Sequence, residues 1–85
     1  MNNLQNKADE LINKAAEFGI NAQITMSNPY QIVIKYAPRF YSVVCFSETN
    51  RVRVLNYEQV GRRTDKVSTK NLPDWFAFYA ENKMA

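Results

Sequence analysis

The chain has 85 residues, enough for one domain and too few for two, and a chain of this size buries only ~60% of the surface its unfolded form exposes. Hydrophobic residues make up 46% and charged residues 22%, which excludes a disordered tail or a low-complexity segment. The net charge is +3, histidine is absent and Cys45 is the one cysteine. Zinc sites built on Cys and His sets, Ser-His-Asp triads and Cys-His pairs are therefore excluded, and so is an internal disulfide.

Residues 2–18 carry Leu4, Ala8, Leu11, Ile12, Ala15 and Phe18 at the three-and-four spacing of one helical face. Gly19 stands where a left-handed cap belongs, with Ile20 behind it to fold back onto the last turn. From Ile20 the period changes to two. Ile20, Ala22, Ile24 and Met26 alternate with polar residues as a half-buried strand does. Ser27-Asn28-Pro29 is turn chemistry, and Tyr30, Ile32, Ile34 and Tyr36 define a second strand. Ala37-Pro38-Arg39 ends it. Phe40–Phe46 is apolar on both sides apart from Ser42, the pattern of a central strand. Ser47-Glu48-Thr49-Asn50 reads as a hairpin turn and Arg51–Tyr57 as the fourth strand. A hairpin tip is expected around Gly61–Asp65 and a short last strand around Lys66–Thr69. The closing helix starts at Asn71 as cap, with Pro73 in its first turn and Asp74 three residues after the cap.

These elements make an α+β domain over residues 1–85: N-terminal helix, antiparallel meander of four or five strands, C-terminal helix, with both helices on one face. The expected core holds Leu11, Ile12, Ile24, Ile34, Val43, Val52, Val54, Trp75 and Phe76. Cys45 reads as a small buried hydrophobe. Apolar stretches fall far short of the ~20 residues of a membrane span, so a soluble, cytoplasmic protein without membrane contact is expected.

Charge is unevenly placed. Residues 1–34 carry two lysines against three acids. Residues 35–70 carry eight basic residues (Lys35, Arg39, Arg51, Arg53, Arg62, Arg63, Lys66, Lys70) against Glu48, Glu58 and Asp65, a local balance of +5. Tyr36, Phe40, Tyr41, Phe46 and Tyr57 fall inside this basic stretch. If Val52 and Val54 face the helices, then Arg51, Arg53, Leu55 and Tyr57 share the outer face, and Arg62, Arg63 and Lys66 border it from the next hairpin. Arginine's planar fork suits phosphate or carboxylate capture. The plain reading is a solvated face that discourages edge pairing. The functional reading is a site made of Arg51, Arg53, Leu55, Tyr57, Arg62, Arg63 and Lys66 that binds nucleic acid. Its alternative is an inhibitor or regulator of the phage or mobile-element type, docking the same face on an acidic patch of a larger protein. The aromatic cluster Trp75, Phe76, Phe78 and Tyr79 reads as core, with Phe78 or Tyr79 as anchor of a homodimer in the other reading. No metal spacing, glycine-rich phosphate loop or catalytic pair is present, so no enzyme activity and no cofactor are expected.

Two fold-level resemblances accompany these residues. The helix–strands–helix order resembles the double-stranded-RNA-binding domain, but Thr69-Lys70-Asn71-Leu72-Pro73-Asp74 stands where that family has a lysine-rich motif. The meander with Gly61-Arg62-Arg63 ahead of a Leu and Trp helix resembles sheet-based single-strand binders of the transcriptional-coactivator type. That resemblance covers about half the chain with no specific motif and implies fold alone.

Overall fold

A computed structural model describes residues 3–82. Helix α1 (Asn3–Glu17) is followed by strands β1 (Gln23–Ser27), β2 (Gln31–Ala37), β3 (Phe40–Phe46), β4 (Val52–Val60) and β5 (Arg63–Val67), then helix α2 (Leu72–Asn82). The strands form one antiparallel sheet in chain order, with β3 at its centre. The α+β arrangement read from the periodicity is the arrangement observed. Among the described residues no helix is long and apolar enough to cross a membrane.

Helix α1 buries Leu4, Ala8, Leu11 and Ala15, one stripe at the helical period. The expected first helical residue, Asn2, lies outside the described residues. The helix ends on a Schellman motif. Gly19 adopts φ +82°, its N–H bonds the Ala16 carbonyl at 2.9 Å, and the Ile20 N–H bonds the Ala15 carbonyl at 3.0 Å. Ile20 is buried as the apolar partner of that cap. The first strand consequently begins at Gln23 rather than Ile20, because Ile20 and Ala22 are buried by the turn and not by pairing.

Helix α1 lies over β2, β3 and β4, and Ile32, Ile34, Tyr36, Phe40 and Val44 are buried beneath the helices. Phe76 of α2 is fully buried, with its ring against Tyr36 at 4.8 Å, Phe18 at 5.9 Å and Phe40 at 6.1 Å. Tyr79 stacks on Phe40 at 5.0 Å.

Three core expectations are corrected. Ile24 is exposed because β1 is an edge strand. Val43 is only half-buried, since its parity with Val33 and Leu55 points it to the uncovered face. Trp75 is half-buried at the core margin, and Phe76 takes the central place. Ile12, Val52 and Val54 pack against the core while remaining partly exposed. Cys45 is likewise half-buried, not enclosed.

The expected tip around residues 61–65 contracts to Gly61-Arg62. Gly61 adopts φ +62°, which allows a tight turn, so β4 runs on to Val60 and β5 starts at Arg63. Asn71 does stand directly before α2, as the last residue of a 3-10 turn over Thr69–Asn71.

A buried polar chain fixes the last elements to the sheet. The Tyr36 hydroxyl donates to Ser42 Oγ at 2.8 Å, and Ser42 donates to Asn56 Oδ1. Asn56 Nδ2 then donates to the Val67 carbonyl at 3.0 Å and to Thr69 Oγ1 at 2.9 Å. Among the described residues no buried side-chain polar atom is left without a partner.

Candidate functional site

Strand alternation sends every second residue away from the helices, and register decides which of them meet. One row crosses all five strands: Gln23 opposite Lys35, Lys35 opposite Tyr41, Tyr41 opposite Tyr57, and Tyr57 opposite Lys66. The two tyrosine rings lie 5.3 Å apart at 31°. A lysine therefore flanks the tyrosine pair on each side. The next row is apolar, Met26, Val33, Val43 and Leu55. Beyond it Gln31, Cys45 and Arg53 form a third. Beside Tyr41 and Lys35 the face dips into a shallow depression of ≈ 280 Å³, also lined by Thr25, Val33, Pro38 and Gln59.

Among the described residues these rows hold three cations, Lys35, Arg53 and Lys66, and no carboxylate. The acids of the same strands point the other way. Glu58 faces Asp65, in alternation with the buried pair Asn56 and Val67, which places both on the helix-bearing side. With no opposing charge on the face, its cations act together on an approaching anion.

Of the expected site residues, Arg53, Leu55, Tyr57 and Lys66 come together on the outer face, and the condition placed on Val52 and Val54 is met. Arg51 stands directly before β4, its carbonyl accepting from the Ser47 N–H at 2.8 Å and its N–H donating to Ser47 Oγ at 3.3 Å. Arg62 occupies the exposed β4–β5 turn. Arg63 is separated from the others. It shares the parity of Asp65 and Val67, and its Nε donates to Asp65 Oδ1 at 2.9 Å. Sequence reasoning did not place Lys35 or Tyr41 in the site. Both have the right parity within their strands, but only the cross-strand register brings them beside Tyr57.

No group of three or more Cys, His, Asp or Glu residues able to hold a metal occurs among the described residues. No family model, curated protein or solved structure matches this chain. What fold and face define together is a small α+β protein with one sheet face covered by helices and the other open, basic and aromatic.

Proposed function

We propose that the protein is a non-catalytic binding module that takes single-stranded nucleic acid on its open sheet face. The observation that carries this reading is the Tyr41–Tyr57 pair set between Lys35 and Lys66 on a face without carboxylates among the described residues. Unpaired bases stack on such rings at ~1–3 kcal/mol per base, whatever their identity. Lys35, Arg51, Arg53 and Lys66 neutralise phosphates, while Val43 and Leu55 cover the remaining base surface. Binding of this kind has little sequence choice, because the rings stack on any base and the one amide of that row, Gln23, stands on the edge strand two positions from the tyrosine pair. Arg63, held by Asp65, takes no part.

Fluorescence anisotropy with labelled single- and double-stranded oligonucleotides tests the reading. Each single-strand phosphate neutralised contributes roughly −0.7 to the log–log salt slope, so four cations give about −3. Arg51→Ala/Arg53→Ala is expected to flatten the slope to about half that value. Tyr57→Ala is expected to weaken binding about 10-fold at a nearly unchanged slope. No binding of either oligonucleotide at low salt overturns the proposal. The same face, with Leu55 and Tyr57 as anchors, would then serve an acidic protein surface.

A further inference from the structure

On the helix-bearing side, β4 and α2 border a second concavity. Glu58, Asp74, Trp75 and Phe78 line an open groove of ≈ 380 Å³ whose walls are mainly apolar. The Trp75 and Phe78 rings meet edge to face, 6.4 Å apart at 75°, and form a corner of two nearly perpendicular aromatic surfaces. Phe78 is 50% exposed, although it lies in a helix whose Phe76 and Tyr79 are buried. Glu58 is held in place, because the buried Tyr79 hydroxyl donates to its Oε2 at 2.6 Å. Asp74 extends from the first turn of α2. The ion pairs among the described residues are Lys7–Glu10 and Arg63–Asp65, so neither groove acid is in one, while the charge of Arg39 reaches the Tyr79 hydroxyl that bonds Glu58 and leaves Asp74 the more open of the two acids.

We propose that this groove captures an arginine side chain from an exposed basic segment of a partner protein. Aromatic faces and carboxylates each attract a cation, and both are offered here. A guanidinium matches the pair better than an ammonium does. Its plane can lie on an aromatic face while its edge donates to a carboxylate, and it is the more weakly hydrated of the two. The open shape suits a side chain entering from a chain that stays outside. The ligand has the opposite charge to the one proposed for the outer face, so the two surfaces are independent.

Trp75 is the only tryptophan, so its emission reports on the groove directly. The experiment titrates the full chain at low salt with an acetylated tetra-arginine peptide, with tetra-lysine as comparator. Tetra-arginine is expected to give a saturable change in emission, and tetra-lysine a weaker one. Phe78→Ala and Asp74→Asn should each weaken the arginine peptide by roughly 2- to 5-fold. Both are exposed positions, and circular dichroism verifies that the variants fold. Arg53→Ala, on the other face, should leave the titration unchanged while weakening oligonucleotide binding. No saturable change, or equal affinity in the folded Asp74→Asn/Phe78→Ala variant, overturns the proposal. A wild-type dimer in sedimentation that Phe78→Ala dissociates also overturns it, because the groove would then be covered by a second copy.

Discussion

Asn56 is 2% exposed, and its side chain joins three parts of the molecule. Its Oδ1 accepts from Ser42 on the central strand, and its Nδ2 donates to Val67 on the edge strand and to Thr69 in the turn leading to α2. Asn56→Ala leaves two groups orphaned in the interior, the Ser42 hydroxyl proton and one lone pair of the Val67 carbonyl. Thr69 is exposed and can turn to water. A buried polar group without its partner costs about 1–3 kcal/mol, so two cost ~3 kcal/mol before any loss of packing. A domain of this size has a total stability of roughly 4–13 kcal/mol, so the variant should lose a large share of it. Urea unfolding measures the difference, read as a lower midpoint at constant slope. Asn56→Asp keeps the shape and the acceptor for Ser42 but removes both donors, so it separates hydrogen bonding from volume. It should be as unstable as Asn56→Ala at neutral pH and recover partly in acid, where a protonated carboxyl can donate again. An Asn56→Ala loss below about 1 kcal/mol would mean that water replaces these bonds and that α2 is fixed to the sheet by other contacts.

Phe76→Ala should cost ~3–5 kcal/mol, more than Trp75→Ala, since Phe76 is fully enclosed and Trp75 lies at the margin; thermal unfolding of the two variants side by side decides the order. Burial pushes the Tyr36 hydroxyl up to about 12, against the small opposing effect of Ser42, and Tyr79 is raised by burial and by the neighbouring Glu58 carboxylate. Both folded values exceed the ordinary tyrosine value of 10.0, so their contribution to stability is complete below pH 10 and is lost as pH rises through the folded values. Urea midpoints taken from neutral pH to about pH 11.5 should fall steeply above about pH 10, and Tyr36→Phe should show a shallower fall. Gly19→Ala should cost about 1 kcal/mol from backbone strain alone, since φ is +82° and no atom lies within 4 Å of the added methyl; a neutral effect in urea unfolding would mean that the helix end relaxes.

Element order and type were legible because each periodicity was strong and each turn had its own chemistry. Gly19 ended the first helix, and Asn28 made the turn expected of it, its Oδ1 accepting from the Tyr30 and Gln31 N–H groups. Alternation also distinguished the two faces of β4, which put Arg53, Leu55 and Tyr57 together on the open face. What alternation lacks is register. The partners of Tyr57 depend on where neighbouring strands stop, and the tight turn at Gly61-Arg62 set β5 earlier than its composition suggested. That shift put Lys66 opposite Tyr57 and Arg63 on the far side with Asp65. Burial was similarly underdetermined, because Ile24 alternates like a core residue whether its strand is central or at an edge.

The apolar row on the open face lies outside the helix-covered core, and that gives it its meaning. An antiparallel sheet with one solvated face places polar residues there, whereas this one presents Val33, Val43 and Leu55, with Met26 at the edge. None of them belongs to the core cluster, so replacing them with threonine should cost the core little. Nor do they serve sheet extension, since both edges are guarded. The β1 edge is broken by a bulge between Ile24 and Met26, and the β5 edge carries Arg63, Asp65 and Lys66. Association through strand pairing is thus disfavoured at the places where it would occur, while the centre of the face stays apolar inside a cationic frame. Under the proposed function the ligand would be flat apolar groups strung at intervals on a negative backbone, and the four cations of the frame make the salt slope the most direct test of that proposal.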